Sequence, residues 1–286
     1  MKNKPRSSSY SIQIDEGELF GELYAKKGSS LFLGKYAMTE ARTVLKKWNF
    51  YKDARKKNIW PLKMELDSSE FPPLQRLQIF HKEKNAENLV FDLKIREGGL
   101  EVKDPSILVT PLPPVKLLVL EWLTLQNPLL SFSSNKLPLP GQNYPGLSLG
   151  RKVFSLFAYI ARLNRNDGIL AFPAYFHNAL LFMRRFHFLN PSKEGEVIAI
   201  YRAFKNVPFN QLAWAVHLNG LFEENAGLYE WKAEEQVFFL NKRLKSYFDS
   251  SPYKRKVKES IQGKKYFVDW ESVRKKMNAK GLSSGV

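Results

Sequence analysis

Between residues 40 and 57 the apolar residues Ala41, Val44, Leu45, Trp48 and Tyr51 recur at helical spacing, with basic residues on the other face. The pattern predicts an amphipathic helix, with Thr39 as its N-cap. Ahead of it, residues 18–24 and 30–36 show the apolar alternation and aromatic content of short strands. Residues 61–67 predict another. Residues 74–81 and 88–96, separated by a polar stretch, predict an antiparallel hairpin closed by Gly98-Gly99. The most apolar strand is residues 115–125, whose near-continuous run predicts burial on both faces at the centre of a sheet.

Pro128, Pro138, Pro140 and the pair Pro145-Gly146 exclude regular structure from the stretch that follows, and a loop this long points to function or to a family-specific insertion. Helix, short buried strand and helix are then predicted at residues 151–163, 168–173 and 178–186. This alternation marks an α/β fold. Past Asn190-Pro191 the pattern predicts a strand at 196–204, a short helix at 208–218 and a longer helix at 233–248. The expected organisation is a basic tail with a first strand (1–29), a mixed-sheet α/β domain flanked by helices (30–204), and a basic, mostly helical C-terminal extension (205–286).

Composition narrows the classes. An aromatic fraction of 14% and a hydrophobic fraction of 44% exclude a disordered chain. The apolar stretches are too short and too interrupted to span a membrane, and no secretory-length apolar run follows Met1, so a cytoplasmic protein is expected. With no cysteine there is no thiol nucleophile or thiolate metal site, and His81, His177, His187 and His217 show no paired metal-ligand spacing. The net charge of +17 collects in two segments, Arg42 to Lys63 and Lys254 to Lys280. Such a field attracts polyanions: nucleic acid, an anionic lipid surface or a phosphorylated cofactor.

Candidate chemistry centres on the run from Pro145 to Phe154. Small and apolar residues alternate through Gly146, Leu147, Ser148, Leu149 and Gly150 and lead straight into a helix. Backbone N–H groups and the positive helix end would there form a phosphate seat, with Arg151 and Lys152 beside it. The stretch resembles the GNAT N-acyltransferase superfamily. Its central strand is followed by a loop of pattern Arg/Gln-x-x-Gly-x-Gly/Ala that opens a helix and binds the pyrophosphate of acyl-CoA. Gly150 falls on the last position of that motif, while Ser148 and Pro145 depart from the middle glycine and the leading Arg/Gln. A short strand and a second helix follow in the family, and here Asn178, Ala179, Met183, His187 and Phe188 make a similar run. Met183 stands at the family's tyrosine position and cannot transfer a proton.

The resemblance covers about Val115 to Phe188. It implies a GNAT-like fold, acetyl-CoA or another acyl-CoA as co-substrate, and acyl transfer to an amine. Residues 146–151 and Asn178 would hold the cofactor. Glu121, within the most apolar strand, is the candidate base, with burial expected to raise its pKa; pairing with a nearby Lys or Arg is the other reading. Two alternatives stay open. Gly146 to Gly150 is literally G-x-S-x-G, which would make Ser148 a hydrolase nucleophile with Asp167 and a downstream histidine. Alternatively, a non-catalytic module would use its basic segments, with Trp48, Tyr51, Tyr253, Tyr266, Phe267 and Trp270, on nucleic acid.

Overall fold

The structure is a computed structural model that describes residues 30–100, 105–112, 114–133 and 137–282; the strand expected at 18–24 lies outside them. In chain order the elements are α1 (Met38–Lys47), α2 (Phe50–Lys56), β1 (Leu62–Asp67), β2 (Gln75–His81), β3 (Leu89–Gly99), β4 (Lys116–Leu125), α3 (Gly150–Leu163), β5 (Gly168–Ala171) and α4 (Phe176–Phe182). There follow β6 (His187–Phe188), α5 (Pro191–Ala203), α6 (Phe209–His217), β7 (Leu221–Glu223), β8 (Gly227–Leu228), β9 (Gln236–Phe239), α7 (Lys242–Asp249), α8 (Ser251–Ile261), β10 (Tyr266–Val268) and α9 (Trp270–Ala279).

The fold is mixed α/β. Its main sheet runs β1-β2-β3-β4-β5-β9-β6, antiparallel throughout except for the central β4–β5 pair, and a small sheet runs β10-β7-β8. A parallel pair needs a crossover, and α3 supplies it. Alternation along the strands then divides the layers. Leu77, Leu93, Leu118 and Ile169 face one core shared with Leu45 and Phe50 of α1–α2 and Phe157 of α3. Leu117, Val119 and Leu170 face a second, covered by Leu244, Phe248 and Tyr253. A third joins Phe176 and Ala179 of α4 to Val197 and Leu212.

Four expectations are corrected. The helix at 40–57 is two helices, because Asn49 turns left-handed (φ 59°) and redirects α2 so that Phe50 and Ala54 reach the core. Residues 30–36 form a tight turn, with Leu33 and Gly34 at positive φ and Phe32 bridged to Tyr36. The strand at 196–204 is the interior of α5, started by Asn190, whose side chain accepts from the Ser192 N–H, and by Pro191. Its apolar run is continuous because the helix is buried on several sides. Finally, 233–248 is not one helix: Val237 and its neighbours enter the main sheet as β9, and Asn241 then caps α7. The main sheet therefore draws on chain beyond residue 204, and the expected boundary does not divide it.

The extension is fastened by close approach and by a buried polar knot. A Cβ on Gly195 of α5 would stand 2.5 Å from the Val257 carbonyl oxygen of α8. Glu194 accepts from the Phe188 N–H at 2.8 Å and has the Tyr253 hydroxyl at 2.8 Å. Gly195→Ala is expected to force α5 and α8 apart and to cost about 1–3 kcal/mol, seen as a lower denaturant midpoint at unchanged slope. At Gly150 a Cβ meets nothing within 4 Å, so Gly150→Ala should leave the midpoint in place. Equal midpoints for the two variants would refute the close-packed α5–α8 contact.

Candidate functional site

The site begins with one irregularity in β4. Lys94 of β3 pairs with Trp122 and Ile95 with Leu120, so Glu121 is an extra residue, a β-bulge. The slip changes the phase of the strand. Leu118 and Leu120 before it, and Leu123 and Leu125 after it, all face α3, while Glu121 and Trp122 line the opposite side together. Pairing of β4 with β5 covers only Leu117–Leu120 against Gly168–Ala171 and stops at the bulge. Beyond it the two strands part, and the β5-facing edge of Glu121 to Leu125 pairs with no strand among the described residues. A cleft of about 170 Å³ opens there, between that edge and residues 171–178. Crevices at the carboxyl ends of parallel strands are the usual ligand position in α/β sheets.

The run from Gly146 to Gly150 sits at the same end. Gly146 bridges to Gln126, and the Asn127 N–H donates to the Pro145 carbonyl at 2.7 Å, tying the loop to the end of β4. Leu147 and Leu149 are buried in the core beside α3, whereas Gly146, Ser148 and Gly150 are exposed. The two leucines thus fix the backbone and leave its small residues facing outward. Ser148 holds φ 58°, and Gly150 opens α3 with open space in front of it. Of the two expected cations, Lys152 is bound to Asp53 of α2. Arg151 is exposed and has no ion pair among the described residues.

Glu121 is not buried as expected. Its side chain is 32% exposed, and Oε1 accepts from Arg96 Nε at 2.7 Å, because the bulge turns it to the open face of the sheet. Across the cleft, α4 starts at Phe176, two residues earlier than expected, with Tyr175 at the N-cap and no side-chain cap. His177 and Asn178 therefore lie inside its first turn, and both line the cleft. His177 is only 3% exposed, stacks on Tyr175 at 5.3 Å, and has no hydrogen-bond partner among the described residues. Burial, reinforced by nearby His217, lowers its pKa to about 4, so it is neutral at pH 7. Its ring belongs to the wall between the cleft and a second cavity of about 440 Å³ that His217, Glu230 and Trp231 also line. His217 was expected only as one possible histidine of the hydrolase alternative, and Glu230 and Trp231 had no expected role. Met183 packs into the third core and is not among the residues lining the cleft.

The alternatives find less. Asp167 accepts from the Lys116 backbone N–H at 2.7 Å and from Asn241, at the start of β4 and β5, the opposite end of the sheet from Ser148. Among the described residues no hydrogen bond links Ser148 to a histidine. Of the aromatics considered for base stacking, Tyr253 is buried, Trp48, Tyr51, Tyr266 and Trp270 pack against the cores, and Phe267 is exposed, stacked on Phe222. Lys254, Arg255, Lys256, Lys264, Lys265 and Lys275 have carboxylate partners. No described group of three metal-ligating side chains converges, and no described helix is long and apolar enough to cross a membrane.

His177 gives the site a pH signature. Because its folded pKa lies below the unfolded 6.5, its contribution is intact above pH 6.5 and is lost as pH falls toward 4, where the unfolded chain binds the extra proton. His187 acts in the opposite sense, its pKa raised by the hydrogen bond to Glu194. The difference between wild type and His177→Phe isolates the first effect. Relative to wild type, the variant should gain roughly 2 kcal/mol between pH 7 and 5 by denaturant titration; a gap independent of pH would mean that His177 is not held neutral by burial. In comparisons with protein-family models, curated proteins and solved structures, nothing matches this chain.

Proposed function

We propose that this chain binds an acyl-CoA across the cleft and transfers the acyl group to an amine, as a divergent member of the GNAT superfamily. The observation that carries this reading is the parting of β4 and β5 at Glu121, beside the loop that opens α3. The order of central strand, loop, helix, short parallel strand and helix supports the resemblance read from the sequence. A cleft of about 170 Å³ suits an extended chain better than a whole nucleotide. The unpaired edge of β4 offers that chain main-chain donors and acceptors, as an added strand would use them. Asn178 and His177 stand on the other wall, and the N–H groups of residues 146–150 with Arg151 suit a pyrophosphate.

In the transfer, the amine lone pair forms the new N–C bond and the C–S bond breaks, releasing the thiolate of CoA. Glu121 is the base in this reading: Arg96 occupies Oε1, and Oε2 has no hydrogen-bond partner among the described residues. It takes one proton from the amine. The thiolate takes its proton from solvent, since Met183 supplies none. Most of the acceleration would come from holding amine and thioester together.

Two measurements test this. CoA at a hundred times its dissociation constant should stabilise the protein by about 2.7 kcal/mol, visible as a raised melting temperature. Gly150→Val should remove that shift without unfolding the chain, because its side chain enters open space that the phosphates would fill. No shift in wild type, or an unaltered shift in the variant, would rule out the cofactor assignment. With acyl-CoA and an amine panel, Glu121→Gln should lower kcat at unchanged CoA affinity; full activity would remove Glu121 as base.

A further inference from the structure

The side of β2–β4 facing away from α1–α3 carries a groove of about 620 Å³ whose residues include Glu121 and Trp122, the same pair that lines the cleft. Cleft and groove therefore meet at the bulge. Arg76, Lys94 and Trp122 are register partners and form one row across the three strands. Both acids of the groove already have a cationic partner, Glu121 through one oxygen only. Asp92 accepts two bonds from Arg76, each of 2.8 Å, and Glu121 accepts from Arg96. What remains is donor capacity: the Lys94 ammonium, which has no ion pair or hydrogen bond among the described residues and feels Asp67 of β1 only at longer range, and the terminal guanidinium nitrogens of Arg96. Trp122 adds an aromatic face that is 45% exposed.

A solvent-facing antiparallel sheet carries polar side chains in any case. This one differs in that its charges are sorted, with the anions locked in pairs and the surplus positive, and in that its Trp122 end opens on the proposed reaction centre. A bare cationic amine would be repelled by Lys94. An amine that also carries an anion would be attracted and oriented.

We propose that the groove holds the acceptor and that the acceptor is an amine bearing an anionic group, carboxylate or phosphate. The anion rests on Lys94 and the spare nitrogens of Arg96, the apolar part lies on Trp122, and the amine reaches Glu121. Neighbouring strands lie about 4.8 Å apart and successive residues about 3.3 Å, so Lys94 and Glu121 suit an amine and an anion only a few bonds apart, as in an amino acid. The catalytic part rests on the acyl-transfer reading; the binding part does not.

Calorimetry on CoA-free and CoA-loaded protein separates the two. The probes are phenylalanine, phenethylamine, 3-phenylpropionate and phosphoethanolamine. Phenylalanine or phosphoethanolamine should bind at least tenfold more tightly than phenethylamine and 3-phenylpropionate, and the tighter of those two identifies the anion. Lys94→Gln should weaken that probe about tenfold, leave CoA unmoved and strengthen phenethylamine if it changes it at all. Equal affinity for all four probes, binding of none, or an indifferent Lys94→Gln would overturn the proposal, and the wild-type comparison alone decides it if the variant folds poorly. Failure of CoA to bind removes the acyl-transfer reading instead, because the groove is still read on the CoA-free protein.

Discussion

Everything in the site depends on where the parallel pairing of β4 and β5 stops. Four residues of each strand pair, and at Glu121 the ladder gives way. A bulge sacrifices local ladder hydrogen bonds and adds twist, so the strands leave each other at the end where the crossover must begin. The chain then has to travel from the end of β4 to the start of α3 without re-entering the sheet. It does so along the residues up to Leu149, and Leu147 and Leu149 press that path onto the core. Cleft, loop and helix terminus share one end of the sheet because a single residue breaks register.

The far wall of the cleft has a different support. β5 and α4 are backed by chain from the C-terminal part: β9 lies between β5 and β6, and α4 packs on α5 and α6. The knot of Glu194, the Phe188 N–H and the Tyr253 hydroxyl joins β6 to α5 and α8. Buried Lys193 is likewise neutralised by Glu196 at 2.6 Å. Charges enclosed this way are costly when one partner is lost, so the arrangement favours a fixed wall over a mobile one. The extension is thus structural to the site and not an appendage beside it.

Legibility in the sequence followed the strength of periodicity. β2, β3, β4, α3 and β5 were readable because each has one dominant apolar phase or a clear apolar run. The bulge was hidden in β4 since Leu117 to Leu120 are apolar in both phases; the signal was the shift from Leu118 and Leu120 to Leu123 and Leu125. In α5, Val197, Ile198 and Ile200 imitate a strand because a helix buried on several sides has no polar stripe. β9 was lost because three apolar residues beside an amphipathic helix do not mark a boundary. The run from Gly146 to Arg151 was legible as a loop opening a helix. The burial of His177, the exposure of Glu121 and the approach of Glu230 and His217 were not, since each depends on contacts between distant segments.

Charge gives the last constraint. On α1 and α2, Arg42, Lys46, Lys47, Lys52 and Lys56 have no carboxylate partner among the described residues, while most C-terminal cations do. Asp53 of α2 reaches Lys152 of α3, so this uncompensated face adjoins the loop that opens α3. The field of the molecule is therefore positive outside the loop, whereas inside the cleft His177 is neutral and Glu121 is paired. An anionic ligand with an uncharged arm matches both regions, its charge on the outer face and its arm between the strands. A ligand charged along its whole length, such as a nucleic-acid strand, would match the outer face only and would have no use for the cleft.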